Sequence, residues 1–250
     1  DELPILPLRN TVLFPGVVIP ITVGRDKSIK LIRDCYRGNK IIGVVAQKDH
    51  EIEDPSPEDL NSVGTVAYII KILQMPDGNT TAIIQGKKRF RIIDFYQENP
   101  YFKARVTSFD KPDHRLKTEE FEALVSTLKD MSIQIIKQSP NIPSDAAFAI
   151  RNIESPVFLI NFISSNLNIN LLEKQKLLWM QDLVERAHKV LEGLTREIQM
   201  LELKNQIQKK VRSDMDKQQR DYLLSQQLKT IQEELGNNPH EQEIAELEER

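Results

Sequence analysis

The stretch "GTVAYIIKILQMPDGNTTAIIQGKKRFRI" (residues 64–92) decides the fold class, because two β-rich runs in it flank a single turn. β-branched residues dominate both runs, and such residues are enriched in strands. Between the runs lie Pro76, Asp77 and Gly78. Proline fixes φ, aspartate bonds back to the chain, and glycine accepts a positive φ, so this trio predicts a tight turn. The stretch therefore predicts a β-hairpin.

Runs of the same kind fill the sequence around the hairpin. They have strand length and end at turn residues. One segment, "RDKSIKLIRDCYRGN" (residues 25–39), has a helical pattern instead. The crossover helices of a doubly wound fold are missing, so residues 1–112 are predicted to form an antiparallel, β-rich pseudo-barrel with one inserted helix. The runs outside the central hairpin are "VVIPITVG" (17–24), "KIIGVVAQ" (40–47) and "RFRIIDFY" (89–96), and the second arm of the hairpin is "TTAIIQG" (80–86).

Beyond residue 112 the apolar residues repeat about every 3.6 positions, as in amphipathic helices. Thr118 and Ser155 are placed as N-caps, and Pro156 takes a first-turn position that proline favours. Residues 113–190 are therefore predicted to form a helical bundle. Its segments are "TEEFEALVSTLKDMSIQIIKQ" (118–138), "SDAAFAIRNI" (144–153) and "SPVFLINFISSNL" (155–167).

A proline-free pattern then continues towards the end of the chain and predicts a long extended helix, with residues 191–250 as a coiled-coil linker. Its first apolar stripe alternates steps of four and three, which is heptad spacing, although it is too short to make a coiled coil secure. The fold class predicted is thus α+β. The stripe consists of Met180, Val184, Ala187, Leu191, Leu194, Ile198 and Leu201.

Composition restricts the class of protein. The 250 residues carry a net charge of −3 and one cysteine, Cys35, so an intramolecular disulfide is excluded and a cytoplasmic location is expected. No apolar run approaches the ~18 residues of a membrane span, so no membrane partner is expected. The chain begins without Met and stops within a helical pattern, so we expect it to be a fragment of a longer protein.

Catalytic motifs are absent from the sequence. A phosphate-binding loop would need glycine where Thr81 stands, five residues before Gly86, and no G-x-S-x-G elbow occurs. The histidines have no partner at metal-ligand spacing. We therefore expect no catalytic, cofactor-binding or metal-binding residue in this chain. The histidines are His50, His114, His188 and His240.

The basic motif "GKKRFR" (residues 86–91) has two interpretations. Basic residues beside Phe90 could bind a nucleic-acid strand through phosphate contacts and stacking. Alternatively, the motif is a strand with Arg89 and Arg91 in solvent on one face and Phe90 and Ile92 on the other. The slightly acidic chain favours the strand, so nucleic acid is an improbable partner.

An apolar, proline-rich segment near the N-terminus is a candidate for binding extended polypeptides, because prolines keep a backbone out of a central ladder. The other interpretation is a loop that covers one end of the barrel. Apolar residues at the hairpin tip raise the same question. The candidate polypeptide-binding residues are Phe14, Pro15, Val17, Pro20, Met75 and Pro76.

Three motifs, taken together, resemble the substrate-binding region of ATP-dependent Lon proteases. The first opens the chain, the second is the central hairpin, and the third lies in "SDMDKQQRDYLLSQQLKTIQEELG" (residues 213–236), where Asp221 and Ser225 replace the glutamates usual in the family. The matching residues are Pro7, Leu8, Arg9, Val12, Phe14, Pro15 and Pro20, then Gly64, Ala67, Pro76, Asp77, Gly78, Gly86 and Arg89, then Gln219, Arg220, Tyr222, Leu224, Gln227, Ile231, Glu234, Leu235 and Gly236.

The resemblance implies a non-catalytic region that captures unfolded, damaged or regulatory proteins. It also implies a parent that is a hexamer, with an AAA+ ATPase module and a Ser–Lys endopeptidase module outside these residues. The parent would use ATP and Mg²⁺.

A second role left open is assembly or spacing through the long helix. A sparse apolar stripe on that helix could contact a neighbouring subunit. The candidate inter-subunit face consists of Tyr222, Leu224, Leu228, Ile231 and Leu235.

Overall fold

A computed structural model describes residues 1–110 and 118–236, together with residue 247. The chain divides into two compact units, Asp1–Ile198 and Gln199–Arg250. The predicted boundary between lobe and bundle, at residue 112, lies outside the described residues. The predicted boundary at residue 190 falls within a helix.

A six-stranded sheet forms the N-terminal part of the first unit and confirms the β-rich lobe of the α+β prediction. Its strands follow the order β2-β5-β4-β3-β1-β6, and β6 also pairs with β5, which closes five of the strands into a ring. Among the described residues, strand β2 is attached to this ring through β5 alone. The elements are β1 (Glu2–Leu8), β2 (Val18–Val23), α1 (Asp26–Arg37), β3 (Ile41–Ala46), β4 (Val63–Gln74), β5 (Thr80–Gln97) and β6 (Lys103–Ser108).

Two details of the sheet correct the prediction. Strand β1 pairs with β3 in parallel, so the sheet is mixed and not purely antiparallel. Parallel neighbours need a long connection, and the chain between them supplies one that includes α1. The runs predicted as separate strands at residues 80–86 and 89–96 form the single strand β5, because a β-bulge between Gly86 and Arg89 shifts its register against β4 without ending the pairing.

Close backbone contact explains why glycine occupies one position inside the ring. A Cβ atom at Gly64 would overlap the carbonyl oxygen of Val44 and the side chain of Val45, and would lie 3.0 Å from Cζ of Phe90. Phe90 is fully buried in the cluster that fills the barrel beside Ile5. Glycine therefore allows the strands to pack around this aromatic ring.

Helices α2 to α5 complete the first unit together with the beginning of α6. Both predicted N-caps are confirmed: Oγ1 of Thr118 accepts from the amide of Phe121, and Oγ of Ser155 accepts from the amide of Phe158, each at 3.2 Å. The helices are α2 (Glu119–Gln138), α3 (Asp145–Arg151), α4 (Pro156–Asn166), α5 (Leu171–Trp179) and α6 (Leu183–Gly236).

The predicted heptad stripe is only partly buried. Met180 lies before α6, whose first turn is capped by Oδ1 of Asp182 accepting from the amide of Glu185 at 3.0 Å. The stripe misses Leu183 and Val190, because the buried face of α6 is set by packing on the bundle and its positions do not keep strict heptad spacing. The buried apolar residues of α6 are Leu183, Ala187, Val190, Leu194 and Ile198.

The second unit contains the remainder of α6, which confirms the predicted long helix. Residues 202–235 are all exposed. The helical pattern within which the chain stops, at residues 240–250, lies outside what the structure describes, apart from residue 247.

Candidate functional site

One row of paired residues crosses four strands of the sheet and has exposed apolar side chains on three of them. Val18 of β2 pairs with Gln85 of β5, Gln85 pairs with Tyr68 of β4, and Tyr68 pairs with Ile41 of β3. Directly paired residues have side chains on the same face of a sheet. Val18, Tyr68 and Ile41 are each more than a third exposed, and the half-buried Gln85 lies between Val18 and Tyr68. The row is therefore a largely apolar strip that faces solvent.

A second row widens the strip. Pro20 of β2 pairs with Ile83 of β5, and Ile83 pairs with Lys71 of β4. The register shifts between Ile69 and Lys71, and the intervening Ile70 is well exposed. We call the exposed and half-buried apolar residues of both rows the outer face. It consists of Val18, Pro20, Ile41, Tyr68, Ile70 and Ile83.

The hairpin between β4 and β5 presents further apolar surface at its tip. The amide of Met75 donates to the carbonyl of Asn79 at 2.9 Å, and the amide of Gly78 donates back to Met75 at 3.0 Å. Gly78 has φ of +87°, which glycine accepts readily. Hydrogen bonds from Asn79 lower the pKa of Asp77. This bonding fixes the turn and leaves Met75 exposed by 44% with Pro76 beside it.

Two of the predicted polypeptide-binding residues belong to the core. Phe14 is fully buried and Val17 nearly so, which leaves neither accessible to a polypeptide. The loop is tied to the barrel because Oγ1 of Thr65 donates to the carbonyl of Leu13 at 2.6 Å. The amide of Gly86 also donates to the carbonyl of Val17 at 2.9 Å. This part of the segment therefore covers the barrel, as the alternative interpretation had it.

The other predicted residues lie at or near the surface. Pro15 is half-buried, whereas Pro20, Met75 and Pro76 are exposed. The structure places Pro20 on β2 within the outer face, and the hairpin tip continues from the ends of β4 and β5. That Pro20, Met75 and Pro76 bind polypeptides remains a proposal.

Sequence reasoning missed five residues of the outer face, which are Val18, Ile41, Tyr68, Ile70 and Ile83. The signal that could have found them is in β4, where "VAYIIKIL" (residues 66–73) places apolar residues on both faces of one strand. A strand with one face towards solvent usually alternates apolar and polar residues. Apolar residues on both faces therefore indicate an exposed apolar face.

Arg89 corrects the interpretation of "GKKRFR" as a strand with solvated arginines. Its side chain is buried, and Nε lies 2.7 Å from Oδ1 of Asp110. Its Nη1 donates to the carbonyls of Leu178 and Met180 at 2.8 and 2.6 Å. Arg89 therefore joins the barrel to the C-terminal end of α5, where the free carbonyls favour a cation.

Arg186 of α6 is a second buried guanidinium close to this junction. It is 3% exposed, and no described residue accepts a hydrogen bond from its Nε or Nη1. Burial lowers the pKa of Arg186 to about 9, and the charge of Arg89 adds to this, whereas Asp110 opposes it. Burying a cation whose Nε and Nη1 bond to no described residue is unfavourable.

The predicted inter-subunit face on α6 lies in the second unit. Each of its side chains is more than half exposed. The described residues of this unit therefore contain no core that would bury the stripe. The stripe comprises Tyr222, Leu224, Leu228, Ile231 and Leu235.

The described ranges 1–110 and 118–236 contain no cluster of three or more His, Cys, Asp or Glu side chains suited to a metal ion. None of the described helices is long and apolar enough to cross a bilayer.

Comparison with known proteins identifies the family. Residues 2–196 match the model of the ATP-dependent protease La (LON) substrate-binding domain. The chain belongs to this Lon substrate-binding family. It is 58% identical over 248 residues to a Lon protease of Flavobacterium johnsoniae, a match covering 98% of the chain. It is 50% identical over 248 residues to a Lon protease of Cytophaga hutchinsonii, a match covering 99% of the chain.

The chain spans 30% of the length of each of these two Lon proteases. The N-terminal domain of a Mycobacterium avium complex Lon protease has a similar fold, with a TM-score of 0.64 at 20% identity, covering 78% of this chain and 98% of that domain. A Lon N-terminal domain protein from Xanthomonas campestris matches with a TM-score of 0.54 at 20% identity, covering 77% and 98%. These likenesses support the fold alone.

Proposed function

We propose that this chain recognises substrates for an ATP-dependent protease by binding exposed apolar segments of unfolded, damaged or regulatory proteins. The observation that carries the proposal is the outer face, where the exposed apolar side chains of Val18, Tyr68 and Ile41 lie in one row of paired residues. Exposed apolar patches of this kind mark interaction sites on soluble proteins. Unfolded chains expose the apolar side chains that would cover such a patch.

The energetics of apolar contacts favour the binding of polypeptides with many different sequences. Burying one Val or Leu side chain contributes about 1.5–3 kcal/mol, without directional requirements. A few such contacts give weak binding to many sequences, and the flexible thioether of Met75 adapts to different partners. We propose that Pro20, Met75 and Pro76 take part together with the outer face.

For the whole protein, we propose an ATPase module and a Ser–Lys endopeptidase module outside this chain, with ATP and Mg²⁺ as cofactors and a cytoplasmic hexamer as the assembly. The support is that the relatives are Lon proteases of which this chain spans 30%. The chain itself would bind and deliver polypeptides, without cleaving them.

A binding titration tests the recognition role. A fluorescently labelled, reduced and carboxymethylated protein serves as the permanently unfolded ligand, and its anisotropy reports binding to the chain. The double variant Val18→Ser with Tyr68→Ser should weaken binding on the order of tenfold, because two exposed side chains lose apolar contact. Equal affinity for wild type and variant would reject the role of the outer face.

The matched control is Ile93→Ser. Ile93 is an exposed isoleucine on the same strand as Ile83. At about 3.3 Å per residue, it lies roughly 30 Å further along β5. This substitution removes the same kind of apolar surface and should leave binding unchanged.

A second candidate function is assembly through α6. The observation in its favour is the exposed stripe from Tyr222 to Leu235, since long helices with unburied apolar stripes associate with partner helices. We propose that this stripe contacts a second copy of the chain. The two functions are compatible because they use different surfaces.

Light scattering tests the assembly role. Leu228→Lys with Ile231→Lys places two charges on the stripe and should reduce the measured mass to that of a single chain. The control, Gln227→Lys with Thr230→Lys, adds the same charge to exposed positions beside the stripe. A wild-type chain that is monomeric at every concentration would reject self-association.

A further inference from the structure

Strand β2 has one free edge. Among the described residues it hydrogen-bonds with β5 on one side and with no strand on the other. The other five strands have partners on both sides, since β6 pairs with β1 and β5. An unpaired strand edge presents amides and carbonyls that can pair with another chain.

The ladder shows which groups of β2 face the free edge. The amide of Gly86 donates to the carbonyl of Val17, so Val17 bonds towards β5. Along an antiparallel strand, every second residue directs its amide and carbonyl towards the same neighbouring strand. The backbone groups of Ile19, Ile21 and Val23 therefore also face β5. The backbone groups of Val18, Pro20 and Thr22 therefore face outward. Pro20 is compatible with this register, because proline has no amide hydrogen and an outward position does not need one to pair with β5.

A groove of about 590 Å³ runs along the C-terminal half of this edge. Its walls come from the end of β1 with Arg9, the start of α1, and the loop at Glu53 and Asp54. The volume falls within the range of about 300–1,000 Å³ typical of ligand pockets. The residues of β2 that line it are Ile21, Thr22 and Val23.

The charges of the groove are balanced. Three basic and three acidic side chains line it. Nη2 of Arg25 donates to Oε1 of Gln47 at 2.6 Å, and Nζ of Lys27 lies 3.6 Å from Oδ1 of Asp54. A groove with no excess of either charge does not select a charged ligand. What it offers instead is the unpaired backbone of β2.

We propose that an extended polypeptide segment binds by adding a strand to the free edge of β2. The inference rests on the proposed function and specifies the conformation of the substrate. The amide and carbonyl of Thr22 and the carbonyls of Val18 and Pro20 bond to the added backbone. On one side its side chains contact the outer face, beginning with Val18 and Pro20, and on the other they enter the groove.

Backbone pairing explains tolerance of sequence. Every unfolded polypeptide carries the same amides and carbonyls, so strand addition gives affinity without reading particular side chains. Pro20 removes one donor from the middle of the edge, which limits the number of bonds and keeps the edge from pairing strongly with copies of itself. The result is weak, reversible binding of extended chain.

The first test changes the ligand and leaves the chain intact. The probe is a capped peptide of about eight residues, the upper range of a strand, with alternating Val and Thr. Two N-methylated versions of the peptide are compared with it. One carries methyl groups on the odd-numbered amides, and the other carries the same number of methyl groups on the even-numbered amides. One version should bind at least about threefold to tenfold more weakly than the unmethylated peptide, since each lost hydrogen bond has an effect of this order.

The second test uses the protein. Thr22→Pro removes an outward amide that β5 does not use, so the fold is kept, while Thr22→Ala retains the amide and loses the side chain. Thr22→Pro should weaken peptide binding about threefold or more, and Thr22→Ala should leave it near wild type. Circular dichroism confirms that both variants are folded.

The outcomes separate this inference from the proposed function. If wild type binds the peptide but is insensitive to N-methylation at both registers and to Thr22→Pro, strand addition is wrong while recognition of polypeptides stands. If wild type binds neither this peptide nor the permanently unfolded protein, both proposals are wrong. Selective loss with one methylated register supports strand addition.

Discussion

Nε of Arg89 lies 2.7 Å from Oδ1 of Asp110, and this ion pair joins the middle of β5 to the chain that leaves β6. The same guanidinium donates to the carbonyls of Leu178 and Met180 at the end of α5. One buried side chain on β5 thereby bonds to two other parts of the first unit. Its loss would leave buried acceptors without donors.

Arg89→Ala should lower the free energy of unfolding by about 1–3 kcal/mol, because the carbonyls of Leu178 and Met180 lose a charged donor, whereas the half-exposed Asp110 remains solvated. Arg89→Lys should recover only part of this loss, because an ammonium cannot reproduce the planar fork. Urea denaturation followed by circular dichroism measures both. The control is Arg91→Ala, an exposed residue two positions along. A loss below about 1 kcal/mol for Arg89→Ala would show that this junction is not important.

Arg186→Met should have the opposite effect. A buried guanidinium without a described acceptor on Nε or Nη1 is replaced by an apolar chain of similar length. The free energy of unfolding should rise by about 1 kcal/mol or more, as for other buried charges replaced by apolar groups. Arg196→Met, on an exposed position of the same helix, should change little. Destabilisation by Arg186→Met would reveal a favourable interaction of this cation.

The two arginines show where sequence reasoning ends. Alternation along a strand predicts that Arg89 points to solvent, yet a partner from α5, about 90 residues away in sequence, buries it. By contrast, the N-caps at Thr118 and Ser155 depend on residues only three positions away, and both predictions are confirmed. Contacts between residues close in sequence can therefore be predicted from the sequence, whereas polar contacts between distant residues are seen only in the folded structure.

Gly64→Ala should destabilise the barrel by about 1–3 kcal/mol or more, the range for overpacking a core. The added Cβ would overlap the carbonyl of Val44, and a backbone atom cannot move aside as a flexible side chain can. Gly24→Ala is the matched control, since no atom lies within 4 Å of the position its Cβ would take. Thermal unfolding compares the two. Equal midpoints would contradict the close approach of β3 and β4 at Gly64.

Cys35 should react slowly with iodoacetamide in the folded chain. Burial raises the pKa of its thiol to about 11, and the charge of Asp34 adds to this, while Lys103 opposes it. A raised pKa means less thiolate, so alkylation at pH 8 should be on the order of 100-fold slower than in the urea-unfolded chain. The rate should keep rising up to about pH 11. A plateau near pH 9 would contradict the shifted pKa.

The candidate surface was only partly predictable. Met75 and Pro76 were identified because a turn bounded by strands must lie at the surface. Phe14 was misplaced because its neighbours are prolines and glycine, which suggest an exposed loop, whereas Thr65 and Gly86 tie that loop to the barrel. Val18 and Tyr68 became visible as one row only through the register of β2, β5 and β4.

The most direct test of polypeptide recognition is site-specific photocrosslinking. A photoreactive phenylalanine analogue replaces Val18, Met75 or Ile93 in turn, and each protein is irradiated with the labelled, permanently unfolded polypeptide. The account predicts strong crosslinks from Val18 and Met75 and few from Ile93, although Ile93 is the most exposed of the three. Crosslinks that are as strong from Ile93, or absent from Val18 and Met75, would contradict it.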